Sequence, residues 1–222
     1  KPLMSEISGN VIDVCPVGAL TNKVFRYKAR AWELTARESI GYHDALGSNL
    51  YLHSRRQDVL RAVPRDNEAV NECWLSDRDR YAHEGLYADD RATQPMLKEN
   101  GQWRAASWDE ALAVAAAALK SVAPQALGLL AHPASSNEEG FMLAELAKAL
   151  GTGNIDHRIK HIDFSDSPVA EAFEVQVADI ENAKTIILAG CNIRHELPLL
   201  HQRIHKAVKR GAKVYTINPV DF

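Results

Sequence analysis

Cys15 is followed at once by Pro16, within the run Ser8-Gly9-Asn10-Val11-Ile12-Asp13-Val14-Cys15-Pro16-Val17-Gly18-Ala19-Leu20-Thr21. A Cys-Pro pair closes many iron–sulfur ligand runs, where the thiolate binds iron. Proline has no amide hydrogen and fixes its own φ, so it turns the chain sharply away from a metal. Gly18 lets the backbone come close. The same pair also serves a structural cysteine buried in a turn, and the residues alone leave both readings open. A 4Fe–4S cluster takes four ligands and this run supplies one. On the iron reading the other three are expected upstream, and the 222 residues alone are expected to hold no cluster.

Other residues of chemical interest are weaker signals. Gly190-Cys191-Asn192-Ile193-Arg194-His195-Glu196 stands where an apolar strand meets a helix. In a parallel sheet that carboxyl-end crevice is where ligands bind, and Arg194 could clamp an anion. A purely structural β–α loop, with Arg194 and Glu196 paired to neighbours, has the same sequence. His201 and His205 share a helix face with His195 nearby, but His-Gln-Arg-Ile-His lacks the glutamate of a zinc motif. His157, Arg158, Lys160 and His161, answered by Asp163 and Asp166, read as a solvated loop or interface. Trp74, Asp77, Arg78, Arg80 and Tyr81 read as an ion-paired turn holding two domains together. No nucleophile–base constellation can be assembled from spacing, so no catalytic residue is assigned.

The elements that must position these groups follow from patterning. A 46% hydrophobic content is ample for a core, and a net charge of −3 argues against a generic nucleic-acid or anionic-membrane binder. No run reaches the ~18–20 apolar residues that span a bilayer. Three widely spaced cysteines, Cys15, Cys73 and Cys191, make no disulfide framework and fit a reducing compartment. The chain opens on Lys1 and closes just after a strand, which is expected of a piece of a longer protein.

Residues 1–40 read as loop-rich. Within residues 41–97, Asn49–Ser54 alternates and Asp58–Pro64 follows a short turn, predicting a hairpin; Ser76 predicts an N-cap. From 98 onward helix and strand alternate. Ser107 with Glu110 predicts a helix over Trp108–Val122. The apolar runs at 126–131 and 185–190 predict strands buried on both faces. Helices are predicted over Ser136–Leu150 and Leu197–Lys209, and a third strand over Lys213–Ile217. Strand, helix, strand with short loops predicts an α/β fold with a parallel-sheet βαβ region.

Taken in order, these segments resemble the large iron–sulfur subunit of respiratory complex I, the NADH–quinone oxidoreductase of bacteria, and its mitochondrial 75-kDa equivalent. Ser8–Lys23 is similar to the last-ligand segment of one of its 4Fe–4S clusters. Ala31-Trp32-Glu33-Leu34 looks like the exit from that domain, and Asp44–Leu50 like the opening of its molybdopterin-oxidoreductase-like portion. Trp74–Tyr81 and Arg91–Met96 are similar to that portion's small domain, and Ser107–Leu112 to the start of its α/β region. Asn192–Pro198 and Asn218–Asp221 look like later landmarks.

The resemblance implies three parts: residues 1–40, the tail of a ferredoxin-like 4Fe–4S domain; 41–97, a small β-rich domain; and 98–222, the first part of a molybdopterin-oxidoreductase-like α/β domain. It implies that Cys15 is a cluster ligand and the one metal- and cofactor-binding residue of the chain. It implies further clusters upstream, no molybdopterin, and electron transfer from NADH and flavin towards quinone. The implied partners are other peripheral-arm subunits, including the flavin-bearing NADH-oxidising one, with no nucleic acid and no membrane insertion. The implied place is peripheral, on the cytoplasmic side of a bacterial inner membrane or the matrix side of a mitochondrial one. One departure stands out. The small domain of such proteins often carries four cysteines, and the matching positions here are Gly41, Asp44, Ser48 and Ser76, so its cluster is expected to be absent. The rival readings are a molybdopterin oxidoreductase of the formate dehydrogenase or nitrate reductase type, and a scaffold module with no redox centre.

Overall fold

The structure, a computed structural model, describes residues 3–158 and 174–220. It divides into two compact units, Lys1–Tyr87 with Glu171–Phe222, and Ala88–Ala170.

The first unit opens with α1 (Asn10–Val14), where the sequence pattern predicts only loop. Five residues, three of them β-branched, are too few to hold a helix by propensity; the contacts described below hold it instead. A three-stranded antiparallel sheet follows, β1 (Thr35–Ile40), β2 (Asn49–Arg55) and β3 (Asp58–Pro64), in that spatial order. The predicted hairpin is β2–β3, and Arg56 in its turn has a positive φ of 57°. β1 lies in the stretch read as loop-rich. Its side chains are almost all exposed, so Thr-Ala-Arg-Glu-Ser-Ile carries no burial alternation, and six residues paired in register to β2 hold it. Leu50, Ala62 and Leu75 form the core beneath this sheet, with Leu52 packed on it. Helix α2 (Asp77–Tyr81) then starts at Ser76, whose Oγ accepts the Asp79 amide hydrogen at 3.1 Å.

In the second unit, β4 (Met96–Glu99) and β5 (Gln102–Ala105) make an antiparallel hairpin that the sequence pattern does not predict. Asn100 and Gly101 both take positive φ in its two-residue turn. Arg104 on β5 pairs with Glu99 and Glu110. Helix α3 (Trp108–Ser121) is capped by Ser107 as predicted. Then come β6 (Leu129–Leu130), α4 (Asn137–Leu150) and β7 (Ile155–Asp156). Ser136 and Glu139 close a capping box at the start of α4, and Gly151 ends it at φ 72°.

The first unit is completed by β8 (Thr185–Ala189), the four-residue α5 (Ile193–Glu196), α6 (Pro198–Lys209) and β9 (Lys213–Ile217). The fold is mixed α/β. Parallel pairing is present in two separate two-stranded pairs among the described residues, β6 with β7 and β8 with β9. The apolar runs are not buried on both faces. The run at 126–131 supplies only two strand residues, and Leu130 and Ile187 are exposed. Among the described residues each of these strands pairs with one neighbour, and along β8 the half-buried residues alternate with exposed ones, Ile186 and Leu188 against Ile187.

α6 is tied down by charge. Arg203, 4% exposed, donates to the carbonyls of Glu68 and Val70 and to Glu181 Oε1. Lys206 pairs with Glu72 and Glu181, and Arg210 with Glu181.

Candidate metal centre

Cys15 is the residue that ends α1, at φ −75° and ψ 105°. Pro16 cannot continue the helix, and the chain reverses, with the Gly18 amide donating to the Cys15 carbonyl at 3.2 Å and Gly18 itself at φ 62°. The backbone amides of Leu20, Ala19, Val17 and Gly18, the residues of this reversal, favour the thiolate. The Leu20 amide has the largest effect, and together they hold the Cys15 thiol below its ordinary pKa. Backbone amides beside a thiol favour its anion, and the thiolate is the form that binds metal. The sulfur is neither sealed away nor disulfide-bonded.

The base of this loop is fixed by a network that reaches across the unit. Asn10, 5% exposed, donates through Nδ2 to the Leu75 carbonyl at 2.8 Å and the Ile7 carbonyl at 2.9 Å. Its Oδ1 accepts the Leu75 amide hydrogen at 2.9 Å and Arg80 Nη2 at 3.0 Å. Asp77 accepts the Gly9 amide at 2.7 Å and the Ser8 hydroxyl at 2.6 Å. Arg80, 1% exposed, also pairs with Asp13. A Cβ on Gly9 would lie 2.6 Å from the Arg80 side chain, so only glycine fits there. The expected ion-paired turn at Trp74–Tyr81 is therefore present. The partner it clamps is the helix that carries Cys15. Asn10 is the residue that sequence reasoning missed, because nothing local marks a side chain whose partners lie 65 residues away.

The positions expected to have lost a second cluster are arranged around Asp79, which is 4% exposed. Ser76 Oγ donates to Asp79 Oδ2 at 3.0 Å, and His43 Nδ1 lies 2.7 Å from Oδ1. A Cβ on Gly41 would fall 2.7 Å from the same carboxylate. Ser48 accepts the Gly41 amide at its carbonyl. Burial, with the Asp79 charge, pushes the Asp44 carboxyl above its ordinary pKa despite Arg78 nearby. Cys73 is the one cysteine of that region; it is exposed, and its thiol pKa is raised.

The loop Gly190–Glu196 keeps its own donors engaged. Arg194 donates to Glu6 Oε2 and to the Met4 carbonyl, both at 2.9 Å, and His195 faces Glu6 at 3.1 Å. Glu196 Oε1 accepts the Asn192 amide hydrogen, and Arg78 donates to the Glu196 carbonyl. His195, His201 and His205 line one cavity of about 510 Å³ with Leu188 and Val214. No group of three histidine, cysteine or acidic residues among the described residues is placed to hold a metal. Of the basic cluster after β7, Arg158 pairs with Asp156, while Lys160, His161, Asp163 and Asp166 lie outside the described residues, as does Asp221.

Comparison with known proteins places these features. Residues 91–221 match the family model "Molybdopterin oxidoreductase". Residues 34–84 match the "NADH-ubiquinone oxidoreductase NDSU1/NuoG-like, 4Fe-4S domain", and residues 1–21 the ferredoxin-like domain of "NADH-quinone oxidoreductase subunit 3". The class is thus a molybdopterin-oxidoreductase-type chain preceded by iron–sulfur modules. The corresponding NADH-quinone oxidoreductase subunit of Rickettsia felis is 41% identical over 215 residues, covering 96% of this chain and 32% of the relative. The mitochondrial NADH dehydrogenase [ubiquinone] iron-sulfur protein 1 of Solanum tuberosum is 39% identical over 227 residues, 100% of this chain and 30% of the relative. The 78 kDa subunit of Neurospora crassa NADH-ubiquinone oxidoreductase is 39% identical, over 93% and 28%. The chain belongs to the family of the large iron–sulfur subunit of NADH–quinone oxidoreductase, and it spans about a third of the length of these relatives.

The two groups associated with this family fare differently against the residues present. Cys15, a free thiol at the end of α1 that is not sealed in the interior, fits as one ligand of an iron–sulfur cluster. The Gly190–Glu196 loop does not fit a phosphate-bearing pterin, because its arginine already holds Glu6 and its Asn192 amide already holds Glu196.

Proposed function

We propose that this chain is part of the electron-carrying subunit of an NADH–quinone oxidoreductase and that Cys15 is one of four thiolates holding a 4Fe–4S cluster. The observation that carries this reading is that Cys15, a free thiol, closes α1 at the Pro16–Gly18 reversal, inside the segment matching a ferredoxin-like domain. A cluster bound there would accept one electron and hand it on. The chain's own residues present the sulfur, favour its thiolate and keep its helix in place; they make or break no covalent bond. Hydrogen bonds to the ligand sulfur and restricted solvent access are the means by which a protein sets such a centre's potential.

In this reading electrons come from NADH through a flavin-bearing neighbour and leave towards quinone. The region 34–84 serves as scaffold without a cluster of its own. Within each unit the parallel pair, β6 with β7 or β8 with β9, is of the molybdopterin-oxidoreductase type, and residues 1–40, 41–97 and 98–222 are the three parts of the chain. No described helix is long and apolar enough to cross a membrane; the subunit is read as peripheral, on the cytoplasmic or matrix side.

The test is Cys15→Ser in the full-length subunit within the assembled oxidoreductase. One cluster's worth of iron and one paramagnetic signal should be lost, along with NADH–quinone electron transfer. Unchanged iron and spectra would overturn the reading, and about one molybdenum per copy would favour the pterin-enzyme rival.

A further inference from the structure

Residues 14–32 carry Lys23, Arg26, Lys28 and Arg30 and no acidic side chain, in a chain whose net charge is −3. All four cations are exposed. The turn from Phe25 to Lys28, closed by the Lys28 amide on the Phe25 carbonyl at 3.0 Å, holds Tyr27 at a φ of 68°. That conformation favours glycine, and a bulky aromatic residue is strained in it. Tyr27 gains no burial in return: it is 92% exposed, with the Arg26 guanidinium 5.1 Å from its ring. Buried Asn22 fixes the start of this segment, its Oδ1 accepting the Val24 amide hydrogen at 2.9 Å.

Arg61 on β3 joins Arg26 and Tyr27 in lining one hollow of about 330 Å³, whose apolar walls are Ile12, Leu20 and Phe25. Its half-buried guanidinium stacks on Phe25 at 4.3 Å and donates through Nε to His53 Nδ1 at 3.0 Å. Nη1 and Nη2 hydrogen-bond nothing among the described residues. His53 does not offset the charge, because burial and then Arg61 itself lower its pKa and keep it neutral at pH 7. Asp13, the carboxylate whose charge acts on Arg61, is hydrogen-bonded to Arg80. An arginine fork that is oriented, partly desolvated and unpaired is the donor set that a carboxylate takes in bidentate fashion.

We propose that the Arg61 hollow and the Tyr27 turn form a docking site for an acidic segment of a neighbouring subunit, one of whose carboxylates enters the hollow and pairs with Arg61. A small free carboxylate would engage Arg61 and leave the Tyr27 ring and the four cations uncovered, whereas a polypeptide face covers them all. Tyrosine and arginine at the centre with a polar rim is the composition of an interface between proteins. The proposal rests on the reading of the chain as part of an assembled oxidoreductase, and not on Cys15 as a ligand.

The test is zero-length crosslinking with a water-soluble carbodiimide, applied to the assembled oxidoreductase carrying Arg61→Lys and read by mass spectrometry of its peptides. The substitution places an amine in the hollow. An amide bond between position 61 and an aspartate or glutamate of another subunit is expected, with links from Lys23 or Lys28 to the same segment. No link at position 61, or a link only within this subunit's own polypeptide, overturns the proposal. Should Arg61→Lys fail to assemble, Tyr27→Gly decides, since it removes the ring and relieves the backbone. The melting temperature of the full-length subunit should hold or rise, while its dissociation from the assembly becomes about tenfold faster, as loss of a central aromatic anchor implies. Unchanged dissociation, or faster dissociation only with a lower melting temperature, overturns the proposal. If the subunit co-purifies with no NADH-oxidising assembly, the reading of the chain falls and this proposal with it. If it co-purifies and position 61 gives no link, this proposal alone falls.

Discussion

Asn10 and Leu75 exchange two hydrogen bonds, Asn10 Nδ2 to the Leu75 carbonyl at 2.8 Å and the Leu75 amide to Asn10 Oδ1 at 2.9 Å. A side-chain amide here does what a neighbouring strand would do, satisfying both backbone groups of a residue that is 0% exposed. This places the start of α1 against the core of the sheet, and Cys15 follows five residues later.

Asn10→Ala should leave the Leu75 amide and carbonyl unpaired and take one acceptor from Arg80. Each buried group left without a partner costs about 1–3 kcal/mol, so a loss of about 2–4 kcal/mol is expected. Asn10→Asp keeps the acceptor but loses both donations, and should also destabilise. Urea unfolding of the chain followed by circular dichroism checks both, and an unchanged midpoint for Asn10→Ala would show the pair to be incidental.

Gly41 and Asp79 make the second prediction. The Asp79 carboxylate occupies the space that a Cβ at position 41 would need. Gly41→Cys should therefore not begin to restore a cluster site; it should destabilise by about 1–3 kcal/mol, as overpacking does. The double variant Gly41→Cys with Asp79→Ala relieves the clash, so the two effects should be non-additive. Thermal unfolding of the four members of the cycle measures this, and strict additivity would mean that the two side chains do not meet.

Much of this was legible because it is local. Ser107, Ser136 and Pro198 mark helix starts through their own backbone chemistry, Gly151 and Gly211 mark stops, and the β2–β3 hairpin shows in the alternation of Asn49–Ser54 and the short turn before Asp58–Pro64. Cys15-Pro16-Val17-Gly18 is a loop whose geometry its own residues impose. What was not legible is non-local. β1 is a strand because β2 pairs with it, and α1 is a helix because Asn10, Gly9 and Asp13 find Leu75, Asp77 and Arg80. The runs at 126–131 and 185–190 are apolar enough for full burial, but burial is decided by what packs on them, and Leu130 and Ile187 remain exposed.

Gly140 and Gly151 lie at the two ends of a contrast within α4. Gly140 is exposed in the helix interior, and a Cβ there would meet nothing within 4 Å. Gly140→Ala should stabilise by about 0.5–1 kcal/mol through helix propensity and a less flexible unfolded chain. Gly151 sits at φ 72° with its amide donating to Lys148 and Ala147 carbonyls. Gly151→Ala should cost about 1 kcal/mol, because an L-residue is strained there. The pair of melting temperatures is the measurement, and the sign must differ between them.

Glu181 contributes to the response to acid. Burial raises its pKa, but Lys206, Arg203 and Arg210 around it outweigh burial, so the carboxyl is held below its ordinary value of 4.5. Glu6 is held below 4.5 likewise, with the Arg194 hydrogen bond as the largest cause. A carboxyl whose folded pKa is depressed binds fewer protons folded than unfolded, so it stabilises above its unfolded pKa and loses that stabilisation as pH falls through the folded one. The chain should therefore keep its full stability near neutral pH and lose it progressively below about pH 4.5. Glu181→Gln should cost about 3 kcal/mol at pH 7, since Arg203 stays buried with its charge partner gone. It should also flatten the decline below about pH 4.5, because one of the groups that produce it no longer titrates. Unfolding free energy measured from about pH 3 to 8 for both forms tests this, and parallel curves would mean that Glu181 titrates alike in the folded and unfolded chain.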